Sequence, residues 1–127
     1  AKVSGAPAVT LWGTGTPLRE FLHVDDMAAA WVFVMNLPKA VYDQYTQPMQ
    51  SHLNVGFGSD ISIAQLARTV ATLVGYSGVI DFDPTKPDGQ PRRCLDVSRA
   101  RQAIGFTART ALEEGLQKTI AWYESHR

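Results

Sequence analysis

Apolar and polar positions alternate along the 127-residue chain with two periods, and the change from one to the other marks its elements. Ala8 to Trp12 (AVTLW) is β-prone and stops at Gly13. Thr16-Pro17 marks a turn before the short run Glu20 to Val24, and a hairpin is the cheapest connection. Asp25 or Asp26 then caps a helix in which Met27, Trp31, Val34 and Met35 recur at helical spacing until Pro38. Residues 41 to 51 (VYDQYTQPMQS) have no period and contain a proline, which predicts a loop, and His52 to Val55 reads as a short strand ending at Gly56-Phe57-Gly58. Ser62 with Gln65 forms a capping box for a helix whose face is Ile63, Leu66, Ala67, Val70, Leu73 and Val74. Gly78 to Phe82 predicts a strand, PTKPDGQPRR an ordered surface loop, and Cys94 to Val97 another short strand. Ser98 caps a brief helix that Gly105 ends. Thr110 and Glu113 make a second capping box, with Leu112, Leu116, Ile120 and Tyr123 along the final helix. The opening stretch, AKVSGAPAVTLW, reads like the end of a helix followed by a strand. The pattern is mixed α/β.

At 45% apolar residues, the chain has enough for one core and is too short for two ordinary domains, so a single domain is expected. Twelve Lys plus Arg balance twelve Asp plus Glu. No global field draws the protein to nucleic acid or to an anionic membrane, and neither is expected as a partner. The lone Cys94 excludes an internal disulfide framework and a multi-cysteine zinc site. No apolar run approaches the roughly 20 residues that span a bilayer, and no signal-peptide pattern opens the chain, so a cytoplasmic location is expected.

Two Gly-x-Gly pairs raise the question of a dinucleotide. Such a fingerprint needs a third glycine and a helix behind it, so that backbone amides reach the pyrophosphate. After Gly13 and Gly15 the third position is Leu18, and after Gly56 and Gly58 it is Ile61. Both pairs therefore read as turns. A short-chain reductase also needs Tyr-x-x-x-Lys, yet Tyr42, Tyr45, Tyr76 and Tyr123 are followed four positions on by Thr46, Met49, Ile80 and Arg127. No catalytic or cofactor-binding residue of that reaction is expected in this chain. His23, Asp25 and Asp26 read as a helix start rather than a metal site, and Cys94 as a small buried hydrophobe.

Two clusters remain. Trp12 and Arg19 flank the turn at Gly13 to Pro17, and Asp88 sits between basic residues in Lys86-Pro-Asp-Gly-Gln-Pro-Arg-Arg93, a loop stiffened by Pro84, Pro87 and Pro91. Arginine presents a planar fork to phosphate oxygens, tryptophan a flat face to a sugar or base, and a carboxylate accepts from ribose hydroxyls or the donor edge of a purine. Together these suit a nucleotide diphosphate sugar. The plainer alternative makes Trp12 a core residue and the charges a solvated rim.

WGTGTPLREFLHVDDMAAA, TQPMQSHLNVGFG and FDPTKPDGQPRRCLDVSRA resemble the C-terminal portion of the GDP-L-fucose synthase family (GDP-4-keto-6-deoxy-D-mannose epimerase/reductases), within the wider extended short-chain dehydrogenase/reductases that share the Arg19 to Asp26 pattern. The resemblance implies a substrate-binding domain spanning 1–127, with the NADPH-binding Rossmann domain and the catalytic residues on an N-terminal part absent from this sequence. It implies substrate-binding positions at Trp12, Arg19 and Asp88, with Arg93 a weaker addition, and GDP-sugar as ligand. In that fold the His52 to Gly56 strand and the Asp25 to Asn36 helix complete the Rossmann layer, so alone they would expose apolar surface and promote self-association. A non-catalytic nucleotide-sugar or protein-binding module built on the same fold is the alternative.

Overall fold

The computed structural model describes residues 1–126. Its contacts sort into two compact units of interleaved segments: residues 1–19, 60–93 and 113–127 in one, residues 20–59 and 94–112 in the other.

The first unit is built on two parallel strands, β1 (Ala8–Trp12) and β4 (Val79–Asp83), in register from Ala8 with Val79 to Trp12 with Asp83. Alternation puts Val9 and Leu11 beside Ile80 and Phe82, half-buried, on one face. The other face carries Ala8, Thr10, Trp12, Val79 and Asp81, all exposed. A parallel pair needs a crossover, and helix α3 (Ile63–Val74) lies in it. Ser62 caps α3 by accepting from the Gln65 amide (3.1 Å), while the Gln65 side chain accepts from the Ser62 amide (3.0 Å). Gly75 ends the helix at φ 68°, a left-handed conformation that suits glycine.

The hairpin expected after β1 does not form. Gly13 and Gly15 take φ of 84° and 74°, and the chain leaves to a second sheet, ordered β3 (Asp60–Ser62), β2 (Leu18–Glu20), β5 (Arg92–Arg93), with β2 and β5 parallel. The reason is competition for pairing. The Gly13 amide donates to the Asp83 carbonyl (2.9 Å) and the Leu18 amide to Pro91 (2.9 Å), so distant segments take the bonds a hairpin would have used. Helix α5 (Leu112–Ser125) supplies the rest of this unit from Glu113 onward. It begins two residues beyond the Thr110 expected to cap it.

The second unit carries α1 (Val24–Met35), α2 (Lys39–Tyr45) and α4 (Ser98–Ile104). His23, rather than Asp25 or Asp26, caps α1, its Nδ1 accepting from the Asp25 amide (3.3 Å). Asp26 is buried and accepts from the backbone amides of Thr110 (2.8 Å) and Arg109 (3.2 Å). The first half of the expected loop 41–51 is α2, which starts behind Pro38, whose carbonyl accepts from the amides of Val41 (2.9 Å) and Tyr42 (3.1 Å). Residues 52–55 and 94–97, expected as strands, are extended without a ladder. They find no strand partner among the described residues. Ser98 is the first residue of α4, not its cap. The Asp96 side chain accepts from the Ser98 amide (2.9 Å), and Gly105 ends the helix at φ 67° as expected.

The buried apolar residues are only Ala30, Ala100 and Ile104 among the described residues. Helix α1 is apolar nearly all round, yet Trp31 is 68% exposed, Val32 63% and Met35 83%. A helix of that composition ordinarily lies inside a protein.

Candidate functional site

Ligands of parallel sheets gather beyond the carboxyl ends of the strands, and in this chain two loops leave β1 and β4 at that end. The first, residues 13–17, is held from behind by α3. A helix's first amides have no partner within the helix, and here Ile63 donates to the Pro17 carbonyl (3.0 Å) and Ala64 to the Gly15 carbonyl (2.9 Å). The second loop starts as a tight turn. Lys86 donates to the Asp83 carbonyl (3.2 Å), and the Asp83 carboxylate accepts from the amide (3.0 Å) and hydroxyl (2.5 Å) of Thr85.

One carboxylate joins the two loops. Asp88 accepts from the Thr14 amide on Oδ1 (2.6 Å) and from the Thr14 hydroxyl on Oδ2 (2.7 Å), and that hydroxyl lies 2.7 Å from the hydroxyl of Thr16. The hydrogen bonds from the Thr14 hydroxyl and amide, with the nearby positive charge of Arg19, hold the Asp88 carboxyl below its usual range. A side chain at position 13 would collide with Asp88 Oδ1, so Gly13 is the residue that lets the carboxylate come so close.

The four expected site residues all lie in the first unit. Trp12 closes β1 and is 74% exposed in this chain, and the Lys86 ammonium sits 5.8 Å from its ring centroid. Arg19 is half-buried in β2, its Nη1 donating to the Leu18 carbonyl (2.7 Å). In register beside it on β5 stands Arg93, exposed and without a carboxylate at ion-pair distance among the described residues. Neighbouring Arg92 is engaged by Asp60 at 2.5 Å. Paired like charges destabilise a sheet unless an anion compensates them. Asp88 thus meets Thr14 and the field of Arg19, and Trp12 meets Lys86.

Sequence reasoning missed Thr14, and it placed Lys86 among the basic residues around Asp88 without its contact with Trp12. The signal for Thr14 was its place in Thr-x-Thr just past a strand end; for Lys86, a cation two residues before Asp88. Cys94, expected to be buried, is half-buried.

The Gly-x-Gly pairs do not form a pyrophosphate cradle. An added Cβ would run into Asp88 at Gly13, the Phe82 ring at Gly15, the Glu20 carboxylate at Gly56 and Val97 at Gly58, so the space beside each glycine is already taken by this chain's own side chains. Among the described residues no three His, Cys, Asp or Glu gather to hold a metal, and no helix is long and apolar enough to cross a membrane.

Residues 1–56 match the NAD dependent epimerase/dehydratase family. The chain is 53% identical to a GDP-L-fucose synthase of Escherichia coli over 97% of its own length and 38% of that protein's. Among solved structures, a GDP-6-OMe-4-keto-L-xylo-heptose reductase from Campylobacter jejuni is 32% identical with a TM-score of 0.83, the match covering 94% of this chain and 34% of that one. A GDP-mannoheptose C4 reductase from the same organism, solved with NADP bound, is 30% identical with a TM-score of 0.79 over 92% and 35% of the two chains. Over almost its whole length, then, this α/β chain is similar to a little over one third of a GDP-L-fucose synthase, and its first 56 residues carry the pattern of the NAD dependent epimerase/dehydratase family.

Proposed function

We propose that this chain is the C-terminal, sugar-nucleotide-holding part of a GDP-L-fucose synthase. The observation that carries the reading is the joined pair of loops beyond β1 and β4, which carries Asp88, presents Trp12 and leads into the strands of Arg19 and Arg93. Arg19 and Arg93 engage the diphosphate through charge-assisted bonds. Trp12 packs beside the nucleotide sugar. Asp88 spends one lone pair of each oxygen on Thr14 and keeps the others for the donor edge of guanine or a ribose hydroxyl.

In the complete enzyme the substrate is GDP-4-keto-6-deoxy-D-mannose, epimerised at C3 and C5 and then reduced at C4. NADPH supplies the hydride from a Rossmann domain on polypeptide outside this sequence. The glycines of this chain do not fit that cofactor, so its own residues bind and orient the nucleotide end while the chemistry proceeds elsewhere. The enzyme works in the cytoplasm. Alone, the chain is inactive and self-associates through the apolar face of α1.

Calorimetric titration of the chain with GDP, GDP-mannose and GDP-fucose, with UDP as control, tests the assignment. GDP and its sugars are expected to bind and UDP to bind at least tenfold more weakly. Equal affinity for UDP, or an Arg19→Ala variant that binds GDP as well as the parent, would refute it.

A further inference from the structure

Two consecutive arginines make up the whole of β5. Side chains alternate across a strand, so Arg93, in register with Arg19, stands on one face of the second sheet, and Arg92, in register with Leu18, stands on the other. Burial does not tell the two apart, since both are exposed, and a ladder of two residues specifies its register weakly. A slip of one position in either direction would take Arg93 away from Arg19.

A bond on the Leu18 face opposes that slip. Strand β2 lies between β3 and β5, so the contact of Arg92 Nε with Asp60 Oδ2 (2.5 Å) runs from one outer strand to the other across β2, where strands two apart are separated by about 10 Å. Only a long side chain spans this. The Asp60 side chain is 11% exposed and that of Arg92 65%, which makes the carboxylate the fixed end of the pair. Either slip carries Arg92 to the opposite face and breaks the bond, and a carboxylate so far removed from water is costly to leave without its charge partner. Arg92 therefore stays on the Leu18 face, and Arg93 stays beside Arg19.

We propose that Asp60 is a positioning residue of the nucleotide site: by binding Arg92 across β2 it holds the register of β5 and so keeps Arg93 next to Arg19 for the diphosphate. This rests on the reading of Arg19 and Arg93 as the diphosphate grip. Neither Asp60 nor Arg92 contacts the nucleotide in this arrangement, and both act through Arg93.

The test is a set of double-mutant cycles on the 127-residue chain, read by calorimetric titration with GDP. Arg93→Gln should weaken binding at least tenfold. Asp60→Asn and Arg92→Gln break the bond from its two ends, and each should weaken binding about fivefold, the pair together no more than the stronger of the two. In the Arg93→Gln background neither should weaken it further. Equal losses with and without Arg93 would overturn the proposal, because they would mark direct contact with the nucleotide or a general loosening; so would unchanged affinity in both single variants. Arg92→Gln, at the exposed end, carries the cycle if Asp60→Asn does not fold. Hydrogen exchange reads the register without ligand: the Leu18 amide, which donates to the Pro91 carbonyl at the start of the β2–β5 ladder (2.9 Å), should exchange at least tenfold faster in both variants. Glu114→Gln, which breaks the exposed pair with Lys118, should leave that amide as it is. Unchanged Leu18 exchange in Asp60→Asn and Arg92→Gln would likewise overturn the proposal. The two measurements separate the readings: a parent chain with no preference for GDP over UDP sinks the functional assignment while faster Leu18 exchange upholds the grip of Asp60 on β5, and a GDP preference that neither variant weakens sinks this inference alone.

Discussion

Thr14 and Asp88 are 74 positions apart in sequence and share two hydrogen bonds, and that pair sets what the site residues can do. Thr14→Val keeps the side chain's shape and removes its hydroxyl, so the Asp88 carboxyl should rise toward its ordinary value, as carboxyl chemical shifts would show, and GDP should bind several-fold more weakly. On the proposed function, Arg19→Ala should remove a charge-assisted contact with phosphate, a loss of about 1.5–3 kcal/mol or roughly ten- to hundredfold in Kd by calorimetry. Burial pushes the Asp26 carboxyl up, but the amides of Thr110 and Arg109 and the Thr110 hydroxyl more than offset this and hold it below its usual value. A carboxyl depressed on folding stabilises the protein above its unfolded-state value near ~3.9 and loses that contribution as pH falls through the lower folded-state value. Acid unfolding of the parent should therefore contain a component that Asp26→Asn lacks, and the variant should be about 1–3 kcal/mol less stable at neutral pH by urea titration. Trp12, Arg19, Asp88 and Arg93 were legible as candidates because indole, guanidinium and carboxylate suit a nucleotide sugar. Their partners were not, because Thr14 for Asp88 and Thr110 for Asp26 come from far along the chain.

At the scale of elements, α3 was legible to its ends. Its capping box, its apolar face and Gly75 are all local, so any structure containing this segment meets the same preferences. Ser62→Ala removes the cap's oxygen and should destabilise the first unit by about 1 kcal/mol, measurable as a lower urea midpoint. Strands fared differently. AVTLW and VIDFD are strands because they pair with each other in parallel, whereas His52 to Val55 and Cys94 to Val97 have comparable β character without a ladder. A strand is a relation between two segments, so propensity alone does not complete it. The turn at Gly13 to Pro17 illustrates the same point: the residues specify a bend, and bonds to Asp83, Pro91 and the start of α3 decide where it leads.

Over the whole molecule, few apolar side chains are buried: Ala30, Ala100 and Ile104 among the described residues. Much of what is left uncovered is large and apolar: Trp31, Val32 and Met35 on α1 and an apolar groove beside α3. Sedimentation velocity should show concentration-dependent association of the isolated chain, and Trp31→Glu with Val32→Lys should reduce it; a monomer at all concentrations that binds no hydrophobic dye would contradict this. By itself the sequence determined the α/β character, the limits of α3 and α4's glycine stop and the turn character of both Gly-x-Gly pairs, because each depends on a few neighbouring residues. Only the tertiary structure decided which strands pair, that Thr14 holds Asp88, that Trp12 faces outward and that the strongest helix lacks a cover. Those outcomes depend on which distant segments occupy the same hydrogen-bonding and apolar surfaces, and local preference carries no record of that competition.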